Sequence, residues 1–246
     1  MKYLRLTAVT LAVLILLISF NSCKSYPPTF KTADFYDTNT QVIFDDTDSF
    51  VSITPKTKTE SAIIFYPGGL VDYHAYLPLM TLCAEKGLAC YIVKMPCNFA
   101  FMNKSAAGKF IKKYPEIKNW YLAGHSLGGA MAASYLAGHT KDFKGLILLA
   151  SFSTHNISDS GVNVLSLYGS NDRVLNMDNY KKNLKKLPPY GNGFSEIILY
   201  GGNHAQFANY GQQKGDGLAE ISAKEQQNQT ATHIIQWINE ISKAGL

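Results

Sequence analysis

The chain is predicted to be an α/β protein with a mostly parallel sheet, helices on both faces, and no cap domain. Three observations predict this. Short unbroken apolar runs such as Ala62–Tyr66, Ala89–Val93, Leu146–Ala150 and Val164–Tyr168 have the length and composition of strands buried on both faces. Segments of helical period separate them, and strand–helix alternation calls for right-handed crossovers within one sheet. The composition is globular: 246 residues, 46% apolar and 17% charged, long enough to bury a sizeable core.

Residues 1–22 read as a signal peptide and not as part of the fold. Lys2 and Arg5 precede the apolar run Leu11–Phe20, which is too short to span a bilayer comfortably. Cys23 follows where a bacterial lipoprotein signal places its lipidated cysteine. Ser22 fits that pattern, whereas Asn21 is bulky and Phe20 stands where an aliphatic residue is usual. Lipidation at Cys23, simple cleavage and an uncleaved anchor therefore all stay open. Lipidation is the leading expectation, placing the protein at a bacterial envelope membrane, on its periplasmic or extracellular face. Residues 23–34, with Pro27 and Pro28, read as a tether to a domain spanning 35–246.

Charge excludes one class of partner. The leader carries two of the 23 basic residues, so a small positive balance remains against 18 acidic ones. The lysines are scattered, and the dense run Lys181–Lys186 reads as a solvated helix face, so no nucleic-acid partner is expected. Besides Cys23 there are Cys83, Cys90 and Cys97, which permit one disulfide of undetermined pairing. None has a histidine at metal-ligand spacing, so no metal site is expected.

The elements follow in order. Gln41–Phe44 and Phe50–Thr54 alternate like an antiparallel hairpin at a sheet edge. Ala62–Tyr66 is the first core strand, and Tyr73–Lys86 a helix ending at Gly87. Ala89–Val93 is a strand, Ser105–Lys113 a helix, and Trp120–Ala123 a strand running into the helix Leu127–Ala137. Leu146–Ala150, Val164–Tyr168 and Ile197–Tyr200 are further strands, with a helix over Asp178–Lys186 between the last two. Lys224–Ser242 closes the chain as an amphipathic helix with an apolar stripe of Ile234, Ile235, Trp237, Ile238 and Ile241.

Gly124-His125-Ser126-Leu127-Gly128 lies at the third core strand's junction with a small-residue helix. A Gly-x-Ser-x-Gly string is weak alone, but this context is what a nucleophile elbow requires. A serine hydroxyl needs a base, and the base an orienting acid. Asp172 follows Val164–Tyr168, and His204 follows Ile197–Tyr200, so Ser126, Asp172 and His204 come in the order this elbow demands. The oxyanion would be held by the amide of Leu127 and by one from the Pro67-Gly68-Gly69-Leu70 loop, with Leu70 and Gly69 equally placed. Among the other histidines, His125 should point away from the serine and pack. For His155, after the fourth strand, lining the pocket and lying on the surface both stay open, and for His74, after the first loop, so do facing the site and starting a helix. Asp178 reads as a helix cap.

Pro67-Gly68-Gly69, the Gly124–Gly128 elbow and the placements of Asp172 and His204 resemble the α/β-hydrolase superfamily, from about Ile63 to Ile238. Lys94-Met95-Pro96, Gly124–Ala130, Gly201–Phe207 and the stretch Tyr210–Gly217 are similar to a compact bacterial branch of largely uncharacterised hydrolases. The resemblance implies a serine-histidine-aspartate hydrolase without metal or organic cofactor, acting on a small-molecule ester or related acyl substrate. It does not identify the substrate. Ser151–Asn163 is too short to build a helical lid, so an open site roofed by loops is expected. The alternative is a noncatalytic envelope lipoprotein that binds a ligand in the same cleft; a dienelactone-hydrolase-like activity is weaker, because such enzymes commonly use a cysteine nucleophile. Oligomeric state is not legible.

Overall fold

The apolar strand segments form the centre of one eight-stranded sheet. The structure, a computed structural model, describes residues 25–244. The signal-peptide and lipidation readings at residues 1–22 and Cys23 lie outside the described residues. The strands are β1 (Val42–Asp46), β2 (Phe50–Pro55), β3 (Ser61–Tyr66), β4 (Ala89–Val93), β5 (Asn119–His125), β6 (Gly145–Leu149), β7 (Asn163–Gly169) and β8 (Phe194–Leu199). β1 and β2 form the expected edge hairpin, and β2 meets β4 antiparallel. Every other pairing is parallel, and the order across the sheet is β1-β2-β4-β3-β5-β6-β7-β8.

Helices cover both faces: α1 (Thr32–Thr38), α2 (Leu77–Glu85), α3 (Ala107–Lys113), α4 (Leu127–Leu136), α5 (Met177–Asn183) and α6 (Ala223–Ala244). Side chains alternate across a strand, so β3 feeds two cores at once. Ile63 and Phe65 join Leu77, Met80, Ile234 and Trp237 from α2 and α6. Ala62, Ile64 and Tyr66 join Ala107, Phe110, Ala132 and Leu136 from α3 and α4. The carboxyl ends of β3, β5, β7 and β8 therefore open onto one edge of the sheet, where the glycine loop, Ser126, Asp172 and His204 emerge.

The stretch read as a tether is docked on the domain. Tyr26 N–H donates to Leu70 O at 2.7 Å, Asp72 N–H donates to Tyr26 O at 3.0 Å, and Thr29 N–H donates to Asn209 O at 2.8 Å. Helix α1 begins within it, and Tyr26, Phe30 and Phe35 pack against the core. The reason is physical: a spacer needs solvated residues, and this one carries aromatic rings whose burial outweighs the freedom of an open chain. Strand β8 also starts earlier than expected, because buried Phe194 and the main-chain ladder to β7 extend it. Asn176, not Asp178, caps α5, its side chain accepting from Asn179 N–H. Cys83, Cys90 and Cys97 are free thiols. Among the described residues no helix is long and apolar enough to cross a membrane.

Candidate active site

Ser126 joins β5 to α4 with φ 52° and ψ −123°, a backbone conformation that costs a non-glycine residue roughly 1–3 kcal/mol. The surroundings enforce it. Ser126 N–H donates to Leu149 O at 2.9 Å, and its carbonyl accepts from Ala130 N–H at 3.2 Å and from Ser151 Oγ at 2.7 Å. The flanking glycines are required by space. A Cβ on Gly124 would sit 2.5 Å from the Gly128 carbonyl carbon, and one on Gly128 would collide with the Tyr66 and Pro67 carbonyl oxygens. Only hydrogens fit where strand and helix cross, so the turn is tight and the Ser126 side chain is left partly exposed at its tip.

Asp172 and His204 are brought together. His204 Nδ1–H donates to Asp172 Oδ2 at 2.9 Å, with side-chain exposures of 2% and 1%. The other carboxylate oxygen, Asp172 Oδ1, accepts from Val174 and Leu175 N–H, each at 2.8 Å. That Asx turn fixes the carboxylate independently of its bond to the histidine. With Nδ1 carrying the proton, Nε2 of the neutral ring is an acceptor, and it is buried without a hydrogen-bond partner. Ser126 Oγ is not bonded to it. The rings of His204 and His125, the residue before the serine, lie 4.6 Å apart, so the histidine loop stands beside the elbow.

The glycine loop separates the two expected oxyanion donors. Leu70 N–H donates to Asn98 O at 2.9 Å, so it is spent and the expectation for Leu70 is corrected. Among the described residues Gly69 N–H makes no such bond. Leu127 opens α4, where a first-turn amide has no intrahelical partner. Side chains of Leu127 and Phe99 flank Gly69: a Cβ built there would lie 3.1 Å from Leu127 Cδ2 and 3.8 Å from Phe99 Cε1.

Several supporting residues carried no separate role in the sequence. Asp216 accepts from Ala205 N–H at 2.9 Å and from Arg173 N–H at 3.3 Å, so one carboxylate ties the two loops that carry His204 and Asp172. Gln226, buried on α6, accepts from Asn203 N–H at 3.0 Å and donates to Asn203 O at 2.8 Å. These groups hold the main chain on either side of His204. Gly215-Asp216-Gly217 was part of the family resemblance, which is the only signal that pointed to Asp216. His125 is buried and hydrogen-bonded at both ring nitrogens, to Tyr76 Oη and His204 O. Among the described residues, no three His, Cys, Asp or Glu side chains are grouped to hold a metal ion.

A parallel sheet with a strained serine after β5, an acid after β7 and a histidine after β8 defines the α/β-hydrolase class. The model of the alpha/beta hydrolase family matches residues 62–228, and the chain belongs to that family. No curated protein matches it. Among solved structures it is similar to Est1E from Butyrivibrio proteoclasticus, with 15% identity and a TM-score of 0.59 over 83% of this chain and 100% of that one. Carboxyl esterase 2 from Tuber melanosporum is similar at 13% identity and TM-score 0.58, over 82% of this chain and 89% of that one. Alpha/beta hydrolase domain-containing protein 10 from mouse gives 13% identity and TM-score 0.59, over 81% and 99%. At these identities the likeness is one of fold.

Proposed function

We propose that this protein is a serine hydrolase that cleaves carboxylic esters through an acyl-enzyme. One observation carries the reading: the Asp172–His204 pair leaves a buried, unpartnered Nε2 on a ring 4.6 Å from that of His125, the residue before a serine held in the strained elbow conformation. Ser126 Oγ attacks the ester carbonyl as its proton passes to His204 Nε2, and Asp172 holds the resulting imidazolium. The carbonyl oxygen becomes an oxyanion held by the amides of Leu127 and Gly69. His204 returns the proton to the departing alcohol, then activates a water that releases the acid and restores Ser126. Ester as substrate is favoured by the esterase names among the similar structures, one of them solved with ferulic acid bound.

The strands β6 and β7 are joined by residues 150–162 alone, which supports an open site suited to short or soluble acyl groups. Cys23 is the proposed lipid attachment, holding the enzyme at an envelope membrane; mass spectrometry of the mature N-terminus reads the added chains directly. The activity is tested with a fluorophosphonate probe and a panel of esters of increasing chain length. Labelling at Ser126, and loss of turnover by ~10⁴-fold or more in Ser126→Ala, are the expected results. Turnover that survives in Ser126→Ala rejects the mechanism, and absence of labelling favours a ligand-binding protein.

A further inference from the structure

His125 is 1% exposed, and both of its ring nitrogens are used. Nε2 lies 3.1 Å from His204 O, a carbonyl that can only accept, so Nε2 carries the hydrogen. Nδ1 of the neutral ring is then an acceptor, and Tyr76 Oη donates to it at 2.8 Å. The tyrosine oxygen in turn accepts from Gly68 N–H at 2.9 Å. A single directed chain therefore runs from the glycine loop through Tyr76 and His125 to the main chain of His204. Tyr76 is wholly buried, so no exposed water competes for these bonds. The fit leaves no slack: a Cβ on Gly68 would sit 2.8 Å from His125 Nδ1 and 2.9 Å from Tyr76 Oη. Burial, and then the neighbouring His204, hold the His125 pKa well below its ordinary value, so the ring stays neutral and the direction of the chain does not reverse.

We propose that Tyr76 and His125 are positioning residues that hold the oxyanion loop and the His204 loop in register across the elbow. The assignment rests on the serine-hydrolase reading for its kinetic consequence. A base and an oxyanion donor on separate loops must meet one reacting carbonyl, and a misplacement of about 1 Å costs on the order of 10²-fold in rate. His125→Phe keeps the ring packing against Phe207 and Tyr76 but offers neither donor nor acceptor. His125→Gln offers both, with an amide in reach of His204 O and an oxygen for Tyr76.

The test uses the full chain and two readouts. Nitrogen-detected NMR of His125 should show a protonated Nε2 and a bare Nδ1, a result that does not depend on turnover. In steady-state kinetics His125→Phe and Tyr76→Phe should each lower kcat by about 10²-fold with little change in KM, while His125→Gln keeps most of the activity. The double variant should be no worse than either single one, as expected of residues acting as one unit. A bare Nε2, a glutamine variant as poor as the phenylalanine one, or additive losses would each overturn the proposal. If the unsubstituted chain neither hydrolyses esters nor takes the probe, the ester reading fails, and the NMR result still decides the hydrogen-bond chain.

Discussion

At the scale of single residues, the site depends on which polar atoms are already engaged. Asp172 divides its carboxylate: one oxygen closes a turn and the other faces His204. Asp172→Asn can preserve the turn through its carbonyl oxygen while presenting an amide to Nδ1, which drives the histidine into the wrong tautomer. It should lower kcat about 10⁴-fold with little loss of thermal stability; a comparable fall in Tm would instead assign Asp172 a structural role. Gly128→Ala should behave in the opposite way, because its clash is with main-chain oxygens that cannot swing aside. Its expected cost is about 1–3 kcal/mol of stability, measured by denaturant unfolding. Ser126, Asp172 and His204 were legible because each falls where an apolar run ends. The choice between Leu70 and Gly69 was not. It turns on Asn98, which arrives from another loop and takes the Leu70 amide.

At the scale of elements, the active-site loops are held by segments distant in the chain. Asp216 joins the loops after β7 and β8, so Asp216→Ala leaves the Ala205 and Arg173 amides without their acceptor, at about 1–3 kcal/mol. Lower Tm and lower kcat together are expected; Asp216→Asn, which keeps a carbonyl oxygen, should recover part of both. The segment before α1 does the same for the glycine loop. Tyr26→Pro removes the N–H that reaches Leu70 O and should reduce kcat, whereas Tyr26→Phe, which keeps that N–H, should not. Equal activity in both would show that this contact leaves the oxyanion loop unaffected. The central strands and the larger helices were readable from apolar runs and helical period, since burial on both faces writes itself as an unbroken apolar run, whereas helix α1 and the start of β8 were not. The docking of residues 26–38 was hidden, because prolines and scattered aromatics have no period.

At the scale of the whole molecule, a cluster of charged groups joins β1, the end of β4 and the segment after the glycine loop. Asp46 on β1 pairs with Lys94 just after β4 at 2.6 Å, and Asp72 pairs with His74 at 2.8 Å, with His74 also 3.4 Å from Asp46. Burial alone would oppose these charges, but their contacts outweigh it. His74 is held above its ordinary value of 6.5, and Asp46 and Asp72 below 3.8. A raised histidine contributes its full stability below its unfolded value and loses it as pH rises through the folded one. The lowered carboxylates contribute above their unfolded value and lose it as pH falls through the folded one. The cluster is therefore most stabilising between 3.8 and 6.5. The Tm deficit of His74→Asn should peak in that window and shrink at alkaline pH; a deficit flat with pH would rule the linkage out. The short β6–β7 connection makes a second whole-molecule expectation: no interfacial activation on emulsified long-chain esters.

By itself the sequence determined the class of sheet, the order of its elements and the three residues expected to do chemistry. Those features are local: a strand end is set by its own apolar run, and a reactive side chain just beyond it is carried to the shared edge by parallel topology. Only the tertiary structure decided which loop amide is free, that the presumed tether is a strap, and that His125 links two loops. Those outcomes depend on pairings between residues far apart in the chain, such as Leu70 with Asn98 and Tyr76 with His125, and hydrogen-bond partners across such distances leave no trace in local pattern.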